Sequence, residues 1–426
     1  MTTIDAALLK QSINFEKNHF HFHFKKKERI SITHPFLEDL VRPRLRIAIV
    51  TETWPPEING VALSLLQLCK GLQKQGHKIL LIRPEQKKSC EDFQPNKECL
   101  VKAQSIPKYP HLQFGWPQLN KVSQAIESFA PNVVHIVTEG PLGFSALRVA
   151  KAKKLPISSG FHSSFQDFSR FFDLAFLLKP IQHYLRWFHN NTNVTCVPSL
   201  DTEKALREFG VKCPLVIVGR GVDTVRFSPE FRSEVLRAKW GADNKTRVLL
   251  CVGRLSPEKE TEVAIHAFQS MKKTEKYPSK LVIVGDGPDR LRLESLCNCN
   301  DVIFMGSLSG RGLSEAYASA DVFVFPSQVE TFGNVVLEAL SSGLPVVAYD
   351  YACAHLHVTH GSTGWLPTLG KSVDFFKYIQ DLPSRKELEE MGKCARNNVK
   401  NIGWNHPVQQ FEQALYEVVK ETQMTS

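Results

Sequence analysis

Two cations follow the apolar run that ends in CVGRLSPEKE (251–260). Arg254 and Lys259 stand where a buried strand gives way to a loop. Arginine offers a rigid fork that matches phosphate oxygens, and lysine a mobile point charge. A reaction that expels a diphosphate must stabilise negative charge growing on the departing oxygen, and two cations do this without a metal. Read alone, the pair is equally two solvated basic residues on a loop. A second constellation lies in PSQVETFGNVVLEALSSGLPVVA (326–348), with Glu330 just before a helical pattern and Glu338 about one turn inside it. That helix opens at Phe332–Gly333, so its free N–H groups and positive dipole end meet whatever lies in front of it. Glu330 is placed to meet sugar hydroxyls and Glu338 to accept from a ribose; each also reads as an ordinary carboxylate. Gly60 is the single glycine of TETWPPEINGV, at the mouth of another helix. It reads either as close backbone approach to a phosphate or as a loop residue needing positive φ. The G-x-G-x-x-G of a dinucleotide oxidoreductase is absent at this turn.

The elements that must position these groups alternate. LRIAIV (45–50) and KILLIRP (78–84) are short apolar runs suited to buried parallel strands, with a helix-spaced VALSLLQLCKGLQKQGH between them that Gly76 terminates. PNVVHIV (131–137), LPISSGFH (155–162) and NVTCVPS (193–199) continue the series. A second series runs through TRVLLCVG (246–253), KLVIVG (280–285), DVIFMG (301–306), DVFVFPS (321–327) and LPVVAYD (344–350). Two successive βα series predict an α/β protein with two doubly wound, Rossmann-like domains facing each other across a cleft that holds the ligand. The predicted boundaries are a lead-in over 1–43, a first domain over 44–215 and a second over 216–399. The last helix, within about 400–426, crosses back to the first domain.

Composition narrows the function classes. The 426 residues carry 53 Lys+Arg against 43 Asp+Glu, a net charge of +10, which favours anionic partners without choosing among them. No nucleic-acid module or basic stripe is evident, so nucleic acid is not an expected partner. Ten cysteines are scattered with no CxxC pair, and Cys297-x-Cys299 alone makes a poor zinc site. Reduced thiols in a cytoplasmic protein are the expectation, with no metal site. No apolar run approaches the ~18–20 residues needed to span a bilayer, and the first residues lack a signal peptide's hydrophobic stretch. Any membrane association is then peripheral, on the inner face of the cytoplasmic membrane. SRFFDLAFLLKPIQHYLRWF (169–188), with Arg170, Lys179 and Arg186, reads either as a contact for anionic lipid headgroups or as a helix packed on the first sheet. The tract HFHFHFKKK (19–27) reads as a metal or membrane tract, or as an edge strand or arm; the last two are the preferred reading.

VGRLSPEK, VIVGDGP, YASADVFVFPS and Glu330-x7-Glu338 inside ETFGNVVLEALSSGLPVV together resemble the family-4 retaining glycosyltransferases of the GT-B fold, over roughly residues 44–420. INGV (58–61), PNVVHIVTEGPLG (131–143), SSGFHSSFQDFSRFF (158–172), WFHNNTNVTCVPS (187–199) and VGRGVDTVRFSP (218–229) resemble one bacterial branch of it. That branch includes GDP-mannose-dependent α-mannosyltransferases acting on lipid acceptors and their sulfoquinovosyl- and glucosyl-lipid relatives. The resemblance implies a donor that is a nucleotide-diphosphate sugar, GDP-mannose or a UDP-hexose, with no further cofactor. It implies that Gly60 approaches the donor diphosphate, that Arg254 and Lys259 grip it, and that Glu338 meets the ribose. Glu330 and the backbone over Thr331, Phe332, Gly333 and Asn334 would hold the sugar hydroxyls. His162 would sit near the anomeric carbon, and Gly285 and Gly287 would line the nucleotide pocket. The acceptor would be a lipid or glycan hydroxyl, and the hexose mannose. The rival readings are a soluble glucosyltransferase for polysaccharide or small glycosides, and a non-catalytic nucleotide-sugar-binding protein. Two departures bear on the last. Glu260 stands where relatives often have Gly or Asn. In YDYACAHLHVTHGSTGWL (349–366), His355 or His357 replaces an acid of the relatives' glycine-rich segment.

Overall fold

Short, mostly apolar runs bounded by polar turns build two separate parallel sheets. The computed structural model describes residues 43–57, 59–86, 92–106, 109–162, 178–274, 277–297 and 300–425. The 19–27 tract and residues 169–177 lie outside the described residues. The strands, in chain order, begin with β1 (Arg46–Val50), β2 (Lys78–Pro84) and β3 (Lys97–Val101), followed by β4 (Ala103–Ile106) and β5 (Tyr109–Gly115). Next come β6 (Val133–Ile136), β7 (Ile157–Gly160), β8 (Val194–Val197) and β9 (Leu215–Ile217). The second series is β10 (Arg247–Val252), β11 (Ser279–Val284), β12 (Val302–Gly306), β13 (Val322–Phe325), β14 (Val346–Ala348) and β15 (Gly364–Trp365).

The first sheet has the order β3-β2-β1-β6-β7-β8-β9 and the second β12-β11-β10-β13-β14-β15. Every pairing in both is parallel. Each order reverses once, between β1 and β6 and between β10 and β13, and such switch points open a crevice beyond the strands' carboxyl ends. The loops leaving β1, β7, β10 and β13 carry Gly60, His162, Arg254 with Lys259, and Glu330. β3, β9, β15 and the antiparallel β4–β5 hairpin are strands the apolar pattern does not announce. β3 alternates buried and exposed residues, while β9 and β15 have only 3 and 2 residues.

Asn59 caps the helix Gly60–Lys74, its side chain accepting from the Ala62 N–H at 2.8 Å, and Gly76 ends the turn beyond it at φ +91°. The long helix Asn405–Thr425 lies against that helix and against β6, β7 and β8. Its Val408, Phe411, Leu415 and Val418 join Ile47, Ile49, Leu65 and Leu72 in one core cluster, and each such side chain contributes roughly 1.5–3 kcal/mol. A side chain at Gly71 would stand 2.3 Å from Val408, so only glycine lets the two helices approach this closely. The second sheet is buried between further helices, with Phe268, Phe323, Tyr349 and Phe375 fully enclosed. The eight described cysteines are free thiols. Among the described residues no helix is long and apolar enough to cross a membrane.

The helix Pro141–Ala152 has glycine at its N-cap and borrows a cap from the loop after β1. The Glu52 carboxyl accepts from the Leu142 N–H at 2.9 Å, and a side chain at Gly140 would lie 2.3 Å from it. Burial outweighs these hydrogen bonds and pushes the Glu52 carboxyl up to about 7. The folded chain then holds this proton to higher pH than the unfolded chain, whose value is 4.5. Its contribution is fully present below 4.5 and lost as pH rises through about 7. Urea unfolding of Glu52→Gln across this window should show a shallower pH dependence than the parent, by up to about 3 kcal/mol. Identical slopes would show that the carboxyl is ionised throughout.

Candidate active site in the cleft

Between the two sheets lies a cavity of about 420 Å³, lined by residues of both halves, within the usual range for small-molecule sites. From the first half come Asn59, Gly60, Ser64 and His162; Arg220 joins them from the segment just after β9; from the second come Arg254, Lys259, Gly285, Glu330 and Glu338, together with Thr331, Phe332, Gly333 and Asn334. Eleven of the twelve residues singled out from the sequence therefore line one space. Gly287 is the exception: it does not line the cavity. A side chain there would sit 2.1 Å from the Leu255 carbonyl oxygen, so its smallness serves packing beneath the loop. Gly285 is constrained more severely, at φ +143° with a hypothetical Cβ 1.8 Å from the Gly253 carbonyl. Together these contacts press the Gly253–Lys259 loop onto the turn after β11.

Gly60 is the first residue of its helix, at no positive φ, and a Cβ there would meet only the Asn334 amide at 3.9 Å. Gly333 caps the facing helix, Asn334–Ser341, at φ +92°. Two helix N-termini, one from each half, thus open into the cavity, where their free N–H groups suit an anion. The halves touch here: Asn334 donates to Ser64 Oγ at 3.0 Å, and the Thr331 hydroxyl to the His162 carbonyl at 2.9 Å.

Arg254 is exposed at the cavity edge and makes no ion pair among the described residues. Lys259 is half-buried; its Nζ donates to Glu330 Oε1 at 2.6 Å and to the Val329 carbonyl at 3.1 Å. Ser327 donates to the same Oε1 at 2.9 Å. Glu338 accepts from the Tyr317 hydroxyl at 2.9 Å. Burial raises the Glu338 carboxyl above its ordinary value, against the pull of that bond and of Arg226, and drives the Tyr317 phenol well up. Burial likewise raises Glu57, which bonds Thr53 and Asn59 at the cavity mouth. His162 is held well below its ordinary value by burial first and by Arg220 second, so the ring is neutral.

The two departures prove local. Glu260 adopts the left-handed φ of +48°, a conformation that Gly or Asn takes more readily. Its carboxylate accepts from Gln328 at 2.6 Å and does not line the cavity. Neither His355 nor His357 reaches the cavity. His355 is exposed and bonded to Asp350 at 2.7 Å, and His357 packs edge-on to Phe332, 6.2 Å between ring centres. Arg220, Ser327 and Tyr317 are among the site groups that sequence reasoning assigned no role. Each lies inside a stretch that carried the family resemblance, but nothing in its spacing marked it. An acid–His–Ser chain also exists, Glu139 to His189 at 3.1 Å and His189 to Ser159 at 3.1 Å. Ser159 is fully enclosed, so no substrate reaches it. Among the described residues no group of three or more His, Cys, Asp or Glu side chains is placed to hold a metal ion.

Paired parallel sheets with cations, helix mouths and carboxylates around one interdomain cavity define a glycosyltransferase of the GT-B fold. The glycosyltransferase family 4 model matches residues 58–226, and that of glycosyl transferases group 1 residues 232–398. A GDP-mannose-dependent alpha-mannosyltransferase of Mycobacterium tuberculosis is 34% identical, over 84% of this chain and 93% of the relative. A sulfoquinovosyl transferase of Arabidopsis thaliana is 30% identical over 86% and 72%, and an alpha-monoglucosyldiacylglycerol synthase of Streptococcus pneumoniae 28% over 72% and 71%. Among solved structures, a sucrose-phosphate synthase of Thermosynechococcus elongatus superposes with a TM-score of 0.70 at 19% identity, over 89% of this chain and all of that one. The chain belongs to glycosyltransferase family 4. It is a nucleotide-sugar-dependent enzyme of that retaining family.

The glycines give opposite expectations. Gly285→Ala should cost about 2 kcal/mol or more in unfolding free energy, because backbone must move to admit the methyl group. Gly60→Ala should unfold as the parent does and lose nucleotide affinity, because the methyl group enters the cavity. Equal unfolding curves for Gly285→Ala and the parent would contradict the close approach.

Proposed function

We propose that this enzyme transfers a hexose, with mannose from GDP-mannose preferred to a UDP-hexose, onto a hydroxyl of a membrane lipid or glycolipid, with retention of configuration. The observation that carries the reading is the convergence of Arg254, Lys259 and two opposed helix N-termini on the cavity that also presents Glu330 and Glu338. Arg254, Lys259 and the Gly333 helix mouth hold the diphosphate. Glu338 accepts from the ribose, and Gly285 borders the nucleotide. Glu330 and the Thr331–Asn334 backbone bind the sugar hydroxyls beside His162. The bond from the anomeric carbon to the β-phosphate oxygen breaks, and the acceptor oxygen bonds the same carbon from the same face. The acceptor's proton passes to the departing phosphate oxygen, whose growing charge the cations stabilise. Closure of the two halves excludes water from the donor. The donor binds chiefly to the second half, residues 216–399, and the acceptor to the first, residues 44–215.

Mannose is favoured because GDP-mannose-dependent enzymes stand among the relatives, and a lipid acceptor because a glucosyldiacylglycerol synthase does. An aromatic cluster on the first half adds support. Phe144, Tyr184 and Trp187 lie 6.1–6.4 Å apart in ring centres, Trp187 is 40% exposed, and Arg148 covers Phe144. Lys179 and Arg186 are exposed on the same helix, Leu178–His189, a combination suited to an anionic lipid surface. The enzyme would then act in the cytoplasm, peripherally on the membrane's inner face. The rival non-catalytic reading loses its main ground, since Glu260 is turned to Gln328.

Arg254→Ala and Lys259→Ala should each lower kcat/KM at least tenfold, about 1.4 kcal/mol in the barrier; unfolding stays unchanged in Arg254→Ala, while Lys259→Ala, which leaves Glu330 unpaired, loses some stability but still folds. Full activity in both folded variants would defeat the leaving-group role. Thermal melting with GDP-mannose should shift Tm further than UDP-glucose, UDP-galactose or UDP-sulfoquinovose; the largest shift from a UDP-sugar would reassign the donor.

A further inference from the structure

Arg220 is a buried cation, 9% exposed, with no carboxylate in ion-pair distance among the described residues. Its Nη1 donates to the Val218 carbonyl at 3.1 Å and the Gly219 carbonyl at 3.2 Å, and its Nη2 lies 3.0 Å from Nδ1 of His162. A guanidinium only donates, so Nδ1 must be the acceptor and the neutral ring carries its proton on Nε2. Nε2 has no hydrogen-bond partner among the described residues, and His162 lines the cavity. The ring lies over Gly160, where a Cβ would come within 2.4 Å of Nε2. Thr331 holds the His162 carbonyl from the other half. Three elements thus fix one imidazole: the β7 strand beneath it, the segment after β9 beside it, and the loop before the Asn334–Ser341 helix.

Protonation would force an Nδ1–H against the guanidinium and place two cations 3.0 Å apart. The other titratable neighbours do not relieve this. His135 on β6 and His189 at the end of the Leu178–His189 helix would add positive charge if protonated, and Cys196 on β8 is a thiol held protonated by burial. Across the cavity Lys259 and Glu330 are paired with each other.

We propose that Arg220 is a positioning residue for the transfer reaction: by donating to Nδ1 it fixes the orientation and tautomer of His162, so that Nε2–H is presented to an oxygen of the donor sugar. The inference rests on reading the cavity as the donor site. Its chemical half is independent of that reading.

Side-chain nitrogen NMR of the full chain, with His162 identified by the signal lost in His162→Gln, should show a neutral ring protonated at Nε2 from about pH 5.5 to 8. In Arg220→Met the ring should titrate within this window. Transfer by this variant should gain a pH slope that the parent lacks: kcat falls between pH 5.5 and 8 as the imidazolium, which always carries Nε2–H, gives way to a neutral ring of unfixed tautomer, with a smaller change in donor KM. Arg220→Lys, which still donates to Nδ1, should restore the flat profile. A parent His162 protonated at Nδ1, or titrating near the ordinary histidine value, overturns the proposal without any variant. So does a folded Arg220→Met with unchanged tautomer and pH profile; if that variant does not fold, the parent spectrum and Arg220→Lys decide. Unchanged transfer by His162→Ala would overturn the catalytic half of the proposal, whereas full activity in Arg254→Ala and Lys259→Ala would overturn the donor-site reading; either result leaves the tautomer result standing.

Discussion

The Lys259–Glu330 ion pair is the constraint around which the cleft is arranged. Both groups are half-buried at the carboxyl end of the second sheet, where an unpaired charge is costly. Each satisfies the other at 2.6 Å, and Ser327 adds a donor to the same carboxylate oxygen. The second oxygen, Oε2, makes no hydrogen bond among the described residues. A bound nucleotide sugar brings substitutes for both partners: phosphate oxygens for the lysine and hydroxyl donors for the glutamate. In the proposed reaction the pair is therefore a resting arrangement whose two ends are taken up by the two ends of one donor molecule. This economy needs the strand-end loops of β10 and β13 to lie side by side, which the β10–β13 switch point provides.

What holds those loops in place is close backbone packing more than side-chain bonding. Gly285 stands against the Gly253 carbonyl and Gly287 against that of Leu255, each too near for a Cβ. Such approaches are stiff, since main chain rather than a flexible side chain would have to yield. The other half contributes a helix mouth capped by Asn59 and the neutral, fixed His162. Among the described residues, hydrogen bonds from Thr331 to His162 and from Asn334 to Ser64 join the two rims. Those hydroxyl and amide bonds are individually worth about 1 kcal/mol, weak enough to yield when substrates enter or leave.

Much of this was legible in the residues. The apolar stretches of β1, β2, β10, β11 and β13 read as buried parallel strands, and the turns after β10 and β13 held Arg254, Lys259 and Glu330 in plain view. β3, β9 and β15 were not legible, because an edge strand alternates and a pairing of two or three residues has no periodicity to read. The roles of Arg220, Ser327 and Tyr317 escaped for a different reason. Each acts on a group distant in sequence: Arg220 on His162 across 58 positions, Tyr317 on Glu338 across 21. Ser327 is only three residues from Glu330, but a serine at a strand end carries no mark of the bond it will make. For Gly287 the resemblance implied a place in the nucleotide pocket, and here its close neighbour is the protein's own backbone.

The most direct test of the central claim is a crystal structure of the enzyme with GDP in the cleft. The diphosphate should lie between the two helix N-termini, with Lys259 Nζ and the Arg254 guanidinium within hydrogen-bond distance of its oxygens and the Glu330 carboxylate turned to the sugar side. Nucleotide bound away from both cations, with the Lys259–Glu330 contact still closed at its present length, would contradict it.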